Sequence, residues 1–465
     1  MLFFITMTNY WVPLKLLGNE DRIFNFMKKI QIHTFGCKVN QYESASFHSR
    51  FSELGHQLVT AGSKSDIIVI NTCSVTGKAG AQSRQAVRKA VRDNPDAKIV
   101  ITGCYSQMEG NELQAMPELQ GKSACIIGNG DKHLLVDAAL QDEFSPIAIP
   151  APLEKDTGIS PLPIRNFGSR TRAYLRIQDG CNSYCSYCIV PYTRGRSRSV
   201  ALADVLKQAE IFAEKGYREI VVTGIHVGNY GMDLSENVDI STVLDSLCRT
   251  TPEIRYRLSS IEPTEISENL LSIMAKNANF MPHLHIPLQS GSDDILLRMN
   301  RRYTTGRFAE IVDLCRNTIK DVAIGIDILA GFPGETDKHF AATSSFLEEL
   351  EFTYLHVFPY SRRPGTPAAD FADQVAGDLK EIRVSRLRQL SDQKKQSFYQ
   401  KHIGTTRPVL VERRRSHDGL LKGFTDNYIP VFFAGEDSLQ NSVVLVQLHS
   451  ADIDGATGRI VKSVQ

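Results

Sequence analysis

The sequence predicts an α/β multidomain protein with three parts: a doubly wound parallel-sheet domain, a partial (β/α)6 barrel and a small antiparallel β-barrel. Strand-like and helical segments alternate over residues 29–140, and six further strand–helix units follow over 172–367. Such alternation is typical of parallel sheets covered by helices. Short strands separated by polar, glycine-containing turns occupy 405–465 and favour a small barrel.

Size and composition agree with this organisation. A chain of 465 residues is too long for one ordinary domain, and 42% hydrophobic with 23% charged residues is typical of soluble globular proteins. The net charge of +1 gives no sign of nucleic-acid binding by the molecule as a whole. No apolar run reaches the ~18 residues of a membrane span, so we predict no membrane association.

The predicted boundaries follow changes in composition. Residues 1–27 lack the early positive charge and long apolar core of a secretory signal, so we expect this extension to be disordered or to precede the natural start at Met27. Prolines are dense over 146–168, which indicates a linker. The predicted units are an extension at 1–27, a first domain at 28–145, the linker, a second domain at 169–400 and a third at 401–465.

In the first domain, cysteines follow three predicted strands. The expected strands are 29–34, 66–71, 98–102 and 124–127, and the expected helices are 41–54, 78–92 and 131–140. Cys37, Cys73 and Cys104 come directly after the first three of these strands. Ligands of open parallel sheets bind beyond the carboxyl ends of strands, so these cysteines are expected to converge. The alternative is three separate buried cysteines, as we expect for Cys125 and for Cys248 and Cys315.

The second domain carries a cysteine loop after its first strand. Its expected strands are 173–178, 219–223, 255–259, 283–287, 323–329 and 354–358. Cys181, Cys185 and Cys188 have Cys-x3-Cys-x2-Cys spacing and lie at the carboxyl end of the barrel, where barrel ligands bind. Three thiolates can hold three irons of a four-iron cluster and leave the fourth iron open to a small molecule.

Other roles for this trio remain open at the level of spacing. Core filling fits poorly with a loop that contains Gly180 and Asn182. A zinc site would need a fourth ligand, for which His226, His283 or His285 is a candidate. Disulfides are disfavoured because the cysteine count of nine is odd and no secretory signal is present.

The last part is the size of an oligonucleotide-binding barrel. A charged helix over 378–402 precedes expected strands at 408–412, 428–433 and 443–448. The pattern is equally compatible with a purely structural appendage.

From about residue 28 to the end, the chain resembles the radical S-adenosylmethionine (SAM) methylthiotransferases. The cysteine spacings carry the resemblance, together with an aromatic Tyr187 before the last cysteine of the loop. The segment Gly423-Phe-Thr-Asp-Asn-Tyr428 resembles the signature of the TRAM RNA-binding domain, although Asn441 stands where glycine is more usual. The sequence Thr-Phe-Gly-Cys-Lys-Val-Asn-Gln-Tyr-Glu around Cys37 is similar to the branch that acts on threonylcarbamoyladenosine at position 37 of tRNA, and residues 191–199 point the same way.

The resemblance implies two [4Fe-4S] clusters and methylthiolation of carbon 2 of the adenine. Cys37, Cys73 and Cys104 would bind an auxiliary cluster, and the loop trio would bind the cluster that cleaves SAM to a deoxyadenosyl radical. Two SAM molecules would be used per turnover, because one also supplies the methyl group. Implied partners are the tRNA anticodon loop and a low-potential electron donor such as a flavodoxin or ferredoxin, and the implied location is the cytoplasm.

Further candidates lie at the same end of the barrel. The SAM-binding candidates are Tyr187, Gly224, Gln289 and Asp327. The RNA-binding candidates are Arg194, Arg196 and Arg198, although a basic loop is often only a solvated face. Alternative functions are methylthiolation of isopentenyladenosine in tRNA or of a ribosomal-protein aspartate, and a non-enzymatic, zinc-stabilised RNA-binding protein.

Overall fold

The computed structural model describes residues 27–141, 153, 158–159, 162–165, 167–168 and 170–464. All but the last residue of the predicted extension, and most of the predicted linker, lie outside these residues. A membrane-spanning helix must be both long and apolar, and none of the helices within the described ranges meets both conditions.

A five-stranded parallel sheet forms the first part of the described chain. Its strands, in the spatial order β2-β1-β3-β4-β5, are β1 Lys29–Thr34, β2 Gln57–Leu58, β3 Ile67–Thr72, β4 Lys98–Gly103 and β5 Ala124–Ile127. The helices are α1 Lys38–Glu53, α2 Gly77–Asp93, α3 Cys104–Met108, α4 Gly110–Gln114 and α5 Leu135–Leu140. The predicted strands are confirmed, and the short β2 is an additional edge strand.

Alternation along β3 explains why helices cover both faces of this sheet. Successive side chains of a strand point to opposite faces. Ile67 and Val69 pack in the core that includes α1 and α5, whereas Ile68 and Ile70 pack with Val87 of α2. Each buried aliphatic side chain contributes about 1.5–3 kcal/mol to stability. The doubly wound architecture is therefore confirmed.

The second part is a partial barrel of six parallel strands in two halves. The first half, in spatial order, is β10-β9-β6 and the second is β11-β12-β13; a separate antiparallel ribbon pairs β7 with β8. The strands are β6 Arg172–Arg176, β7 Gln178–Asp179, β8 Arg198–Ser199, β9 Glu219–Thr223, β10 Arg255–Leu258, β11 His283–Gln289, β12 Ala323–Ala330 and β13 Tyr354–Pro359. The helices are α6 Val190–Arg194, α7 Leu202–Glu214, α8 Ile240–Thr250, α9 Glu268–Lys276, α10 Asp293–Arg298, α11 Thr305–Thr318, α12 Asp337–Glu349 and α13 Gly377–Gln400.

Sparse backbone contacts join the two halves between β10 and β11. The amide of Ile261 donates to the carbonyl of His285 at 3.0 Å, and Tyr256 forms a parallel bridge with Phe280. The helix α1 of the first sheet packs against β6, and the ring centroids of Tyr42 and Phe167 lie 6.3 Å apart. The core between α1 and the first sheet is thus continuous with the core of the partial barrel.

A five-stranded closed barrel ends the chain. Its strands are β14 Thr406–Val411, β15 Leu421–Thr425, β16 Pro430–Phe433, β17 Val443–Ala451 and β18 Ala456–Val464. All neighbours pair antiparallel except β16 and β18, whose parallel pairing closes the barrel. The sequence predicted only three of the strands. It missed β15, in which Gly423 is needed because a Cβ there would lie 2.6 Å from the carbonyl oxygen of Leu410.

Asn441 stands where the signature more usually has a glycine. Its backbone φ of 60° explains why glycine is preferred at this position. Asparagine tolerates this left-handed conformation better than other non-glycine residues. We expect Asn441→Ala to lower the free energy of unfolding by roughly 1–2 kcal/mol, because alanine is strained there. Asn441→Gly should change it much less, although it removes the bond from Asn441 Nδ2 to the carbonyl of Gly216. Equal urea unfolding of the two variants would contradict this account.

Candidate functional site

The carboxyl ends of β1, β3 and β4 bring three cysteines to one edge of the first sheet. Cys37 directly precedes α1, Cys73 follows β3, and Cys104 begins α3. A Cβ on Gly36, which has a φ of +89°, would lie only 2.6 Å from Cys73 Sγ. The glycine therefore lets the first loop approach the second thiol closely. All three cysteines are free thiols.

Electrostatics also indicate that these thiols lie together. Burial, with the neighbouring thiols of Cys104 and Cys37 acting in the same direction, raises the pKa of Cys73 to about 11. Burial likewise raises the pKa of Cys37, while Arg194 opposes the shift and Cys104 adds to it. Converging thiols that each disfavour ionisation of the other suit the donor set of a metal or iron–sulfur cluster, because its positive charge would stabilise the thiolates. The residues therefore fit a cluster.

The second trio lies in the loop between β7 and α6. Gly180 begins this loop with a φ of +77°, and a Cβ there would lie 1.9 Å from the carbonyl oxygen of Arg196. Burial and then the Cys185 thiol raise the pKa of Cys188 to about 12. Arg301 donates from Nη1 to Cys185 Sγ at 3.4 Å. The loop trio Cys181, Cys185 and Cys188 therefore also fits an iron–sulfur cluster.

One of the three histidines considered as a fourth zinc ligand lies beside this loop. His226 Nδ1 is 3.3 Å from Cys181 Sγ, and its Nε2 is 2.5 Å from Glu265 Oε1. His283 and His285 line a separate cavity inside the barrel. The geometry is therefore compatible with a zinc site formed by the three loop cysteines and His226.

The two trios are linked through α3 and α6, which pack together. Cys104 begins α3, and α6 starts two residues after Cys188. Asn129 spans the two elements, because its Nδ2 donates to the carbonyl of Thr193 at 2.6 Å and lies 4.0 Å from Cys104 Sγ. The carboxyl ends of the first sheet and of the partial barrel thus face each other.

Arg194 holds this interface together and is not an RNA contact. Its guanidinium is 1% exposed and donates to Glu43 at 3.0 Å, Asp179 at 2.9 Å and Asn40 at 2.5 Å. Burial alone would lower the pKa of Arg194, but Asp179 and the other anions raise it well above its ordinary value. The prediction that Arg194 contacts RNA is therefore wrong, because its guanidinium is buried and is neutralised by Asp179 of β7 together with Glu43 of the first sheet domain. Arg196 is exposed, and Arg198 is partly buried with its Nη2 on the carbonyl of Arg194.

The SAM-binding candidates do not form one group. Tyr187 packs against Phe332. A Cβ on Gly224 would meet Gln178 Oε1 at 2.8 Å, and Gln289 has a φ of 70° where the β11–β12 register shifts. Asp327 lies elsewhere, in the barrel cavity.

A pocket of about 270 Å³ beside the loop trio contains residues that the sequence analysis missed. Its lining includes Cys185 and His226, which the sequence had pointed to, and Glu262 and Arg301, which it had not. Arg301 Nη1 donates to Glu262 Oε1 at 3.0 Å. Glu262 lies just beyond the carboxyl end of β10, so its position at a strand end was the available signal.

A larger cavity of about 840 Å³ lies inside the partial barrel and reaches the closed barrel. Asp327 Oδ1 lies 3.2 Å from His285 Nε2 and 3.4 Å from His356 Nδ1. Burial alone would raise the pKa of Asp327, but the two histidines hold it well below its ordinary value. One donor atom from each of these residues lies within 4.8 Å of the others, so the group could also hold a metal ion.

Comparisons with known proteins agree with this geometry. Residues 29–125 match the uncharacterized protein family UPF0004, and residues 175–347 match the radical SAM superfamily. The fold is similar to that of TsrM, a radical S-adenosylmethionine methyltransferase from Kitasatospora setae, with a TM-score of 0.53 and 16% identity over 73% of this chain and 75% of that chain. Together, the fold and the cysteine loop define a radical SAM enzyme.

Full-length relatives narrow the class. The threonylcarbamoyladenosine tRNA methylthiotransferase MtaB of Bacillus subtilis (strain 168) is 37% identical over 94% of this chain and 98% of its own length. A tRNA-2-methylthio-N(6)-dimethylallyladenosine synthase of Fusobacterium nucleatum is 33% identical over 94% of this chain and 100% of its own length. The chain belongs to the radical SAM methylthiotransferase family. The family implies SAM and the [4Fe-4S] cluster that binds it.

Proposed function

We propose that the protein attaches a methylthio group to carbon 2 of N6-threonylcarbamoyladenosine at position 37 of tRNA. The observation that carries the proposal is the approach of two cysteine trios, one at the carboxyl end of each parallel sheet, across α3 and α6. A single trio would suit any radical SAM enzyme, whereas two trios suit a reaction that also transfers sulfur. The name of the Bacillus subtilis relative supports the choice of nucleoside.

In this proposal, Cys181, Cys185 and Cys188 hold the SAM cluster, and Cys37, Cys73 and Cys104 hold an auxiliary [4Fe-4S] cluster. When bound, the clusters would supply the electron for reductive cleavage of SAM and a carrier for the transferred sulfur. The chain orients and shields these groups. Arg301 donates a hydrogen bond to the Cys185 sulfur, and this charged group stabilises negative charge there.

We assign SAM to the 270 Å³ pocket beside the loop trio. Tyr187, Gly224 and Gln289, which do not line this pocket, stay candidate SAM contacts. Asp327 is assigned to the nucleoside side instead, because it lines the larger cavity. Two SAM molecules would be used in each turnover, one as the radical source and one as the methyl donor.

The anticodon loop of tRNA is the proposed macromolecular partner. Arg196 and Arg198 remain candidate RNA contacts, and the closed barrel, proposed as a TRAM domain over 401–465, places Arg413, Arg414 and Arg415 at the cavity. A flavodoxin or ferredoxin would donate the electron, and the cytoplasm, where tRNA is modified, is the proposed location. The other proposed units are the domains at 28–145 and 169–400.

Nucleoside mass spectrometry tests the proposal. Cells that lack the gene should lose the methylthio form of threonylcarbamoyladenosine from tRNA and accumulate the precursor, and the intact gene should restore it. Loss of methylthio-isopentenyladenosine, or of a modified ribosomal-protein aspartate, would instead assign another substrate. Anaerobically reconstituted protein should hold roughly eight irons per chain. One tight zinc and no iron would support the non-enzymatic alternative.

A further inference from the structure

The barrel cavity contains polar groups that the two cysteine trios do not use. Asp327, His285 and His356 lie on the β11–β12–β13 side of the cavity. Lys38, the residue directly after Cys37, lines the same cavity. The cavity therefore extends from the neighbour of a proposed cluster ligand to the middle of the barrel.

Within the part of the chain that the structure describes, Lys38 differs from two other cations of the cavity because its ammonium has no hydrogen-bonding partner. Arg172 is paired with Glu219 and Glu412, and Arg257 donates to Glu219 and to carbonyl oxygens of the closed barrel. Among the residues that the structure describes, none forms a hydrogen bond or a close ion pair with the ammonium of Lys38. Its charge is thus available to an anion that enters the cavity.

The opposite wall offers both a fixed acceptor and orientable donors. Oδ1 of Asp327 faces two imidazoles, those of His285 and His356. Ser260 Oγ lies 2.6 Å from His285 Nδ1 and orients that ring. The side chain of His356 is 52% exposed, so its other ring nitrogen can reach a ligand. An apolar occupant would give the Lys38 ammonium and the exposed nitrogen of His356 no new partner, which is unfavourable.

We propose that this cavity selects the substrate by binding the threonylcarbamoyl group, with Lys38 pairing with its carboxylate and Asp327 accepting from its N–H or hydroxyl groups. The inference rests on the proposed function and identifies the residues that set its specificity. The volume of about 840 Å³ is in the range of small-ligand pockets. A dimethylallyl group carries neither a charge nor a hydrogen-bonding atom, and sites built for hydrogen bonds reject such analogues strongly.

Binding of two short anticodon-loop RNAs to the reconstituted full-length protein tests this. One RNA carries threonylcarbamoyladenosine, and the other carries the same group with its carboxylate converted to a neutral carboxamide. The unmodified protein should bind the carboxylate form about 10- to 100-fold more tightly, which is the range for a hydrogen bond to a charged group. Lys38→Gln should remove this preference without changing the affinity for the carboxamide, and Lys38→Arg should retain most of it.

The control is Lys64→Gln, which removes an exposed lysine before β3, at the opposite edge of the same sheet, and should leave the preference intact. Iron content should be unchanged in all variants. Equal affinity of the unmodified protein for both RNAs, or a preference that survives Lys38→Gln, would overturn the inference and leave the proposed function standing. Failure to bind either RNA would overturn both. A stoichiometric zinc ion that is lost in Asp327→Asn would assign these residues to a metal and also overturn the inference.

Discussion

Cys73→Ala is expected to abolish methylthio transfer and to reduce the iron content from roughly eight to roughly four atoms per chain. The variant removes one ligand from the proposed auxiliary cluster and leaves the loop trio intact. SAM should therefore still be cleaved reductively in Cys73→Ala, although no methylthio nucleoside forms. Cys185→Ala should instead lose the roughly four irons of the cluster held by the loop trio and keep those of the auxiliary cluster. It should abolish both SAM cleavage and methylthio transfer. Iron analysis, deoxyadenosine release and nucleoside mass spectrometry measure these outcomes.

Cys125→Ala is the matched control for these variants. Cys125 is a buried cysteine of β5, in the same sheet as the strand-end trio, but it lies within a strand and not at its carboxyl end. The Cys125→Ala variant should retain roughly eight irons per chain and full methylthio-transfer activity. Retention of eight irons in Cys73→Ala would show that Cys73 is not needed for a second cluster. Loss of four irons in Cys125→Ala would show that Cys125 is a cluster ligand, contrary to the proposal.

Glu43→Gln is expected to lower the free energy of unfolding by about 3–5 kcal/mol, the usual effect of breaking a buried ion pair. Glu43 is almost fully buried and accepts hydrogen bonds from Arg194 of the barrel and Lys132 of the first sheet domain. Without its carboxylate, both cations remain in a low-dielectric interface with less compensation. Arg194 also lies at the interface where the two cysteine trios face each other. Glu43→Gln should therefore disturb the relative position of the two trios as well as lower the stability of the fold.

Glu53→Gln on the same helix is the control. Glu53 is 35% exposed and pairs with Arg165 at 2.7 Å, so its loss should change stability by less than about 1 kcal/mol. An equal effect of the two substitutions in urea unfolding would contradict the role given to Glu43.

The same cluster should make the protein sensitive to acid. Burial alone would raise the pKa of Glu43 and of Asp179, but Arg194 and the other cations outweigh burial and hold both below their ordinary values. A carboxyl with a depressed folded-state pKa contributes stability above its unfolded pKa of about 4, and this contribution is lost as pH falls through the folded value. Unfolding free energy should therefore fall below about pH 4, and more shallowly in Glu43→Gln.

Much of the fold was predictable from local patterns, because the period of apolar residues differs between strands and helices. The run 66–71 corresponds to Ile67–Thr72, and 78–92 corresponds to Gly77–Asp93. The closed barrel was predicted less completely. Strand β15 is short and contains Gly423, and β18 begins Ala-Thr-Gly, so neither has the strong β-branched or aromatic run that identifies a strand.

The site was predicted in part for a similar reason. Cysteines at the ends of neighbouring parallel strands must lie at one edge of a sheet, so periodicity and topology were enough to group Cys37, Cys73 and Cys104. Arg194 looked like a surface cation because three arginines occur within five residues. One of its two carboxylate partners, Glu43, lies 151 residues away, and no local pattern reports such a contact.

The amino-acid sequence alone determined which segments form strands and helices, and it identified the two cysteine trios by their spacing and their position after strands. Tertiary structure alone decided which cations are buried and which are available. Packing of the first sheet against the barrel buries Arg194 beside Glu43, while the same packing leaves Lys38 open to the cavity that contains Asp327. The physical reason is that desolvation and charge pairing depend on residues brought together from distant parts of the chain, whereas backbone periodicity is a local property.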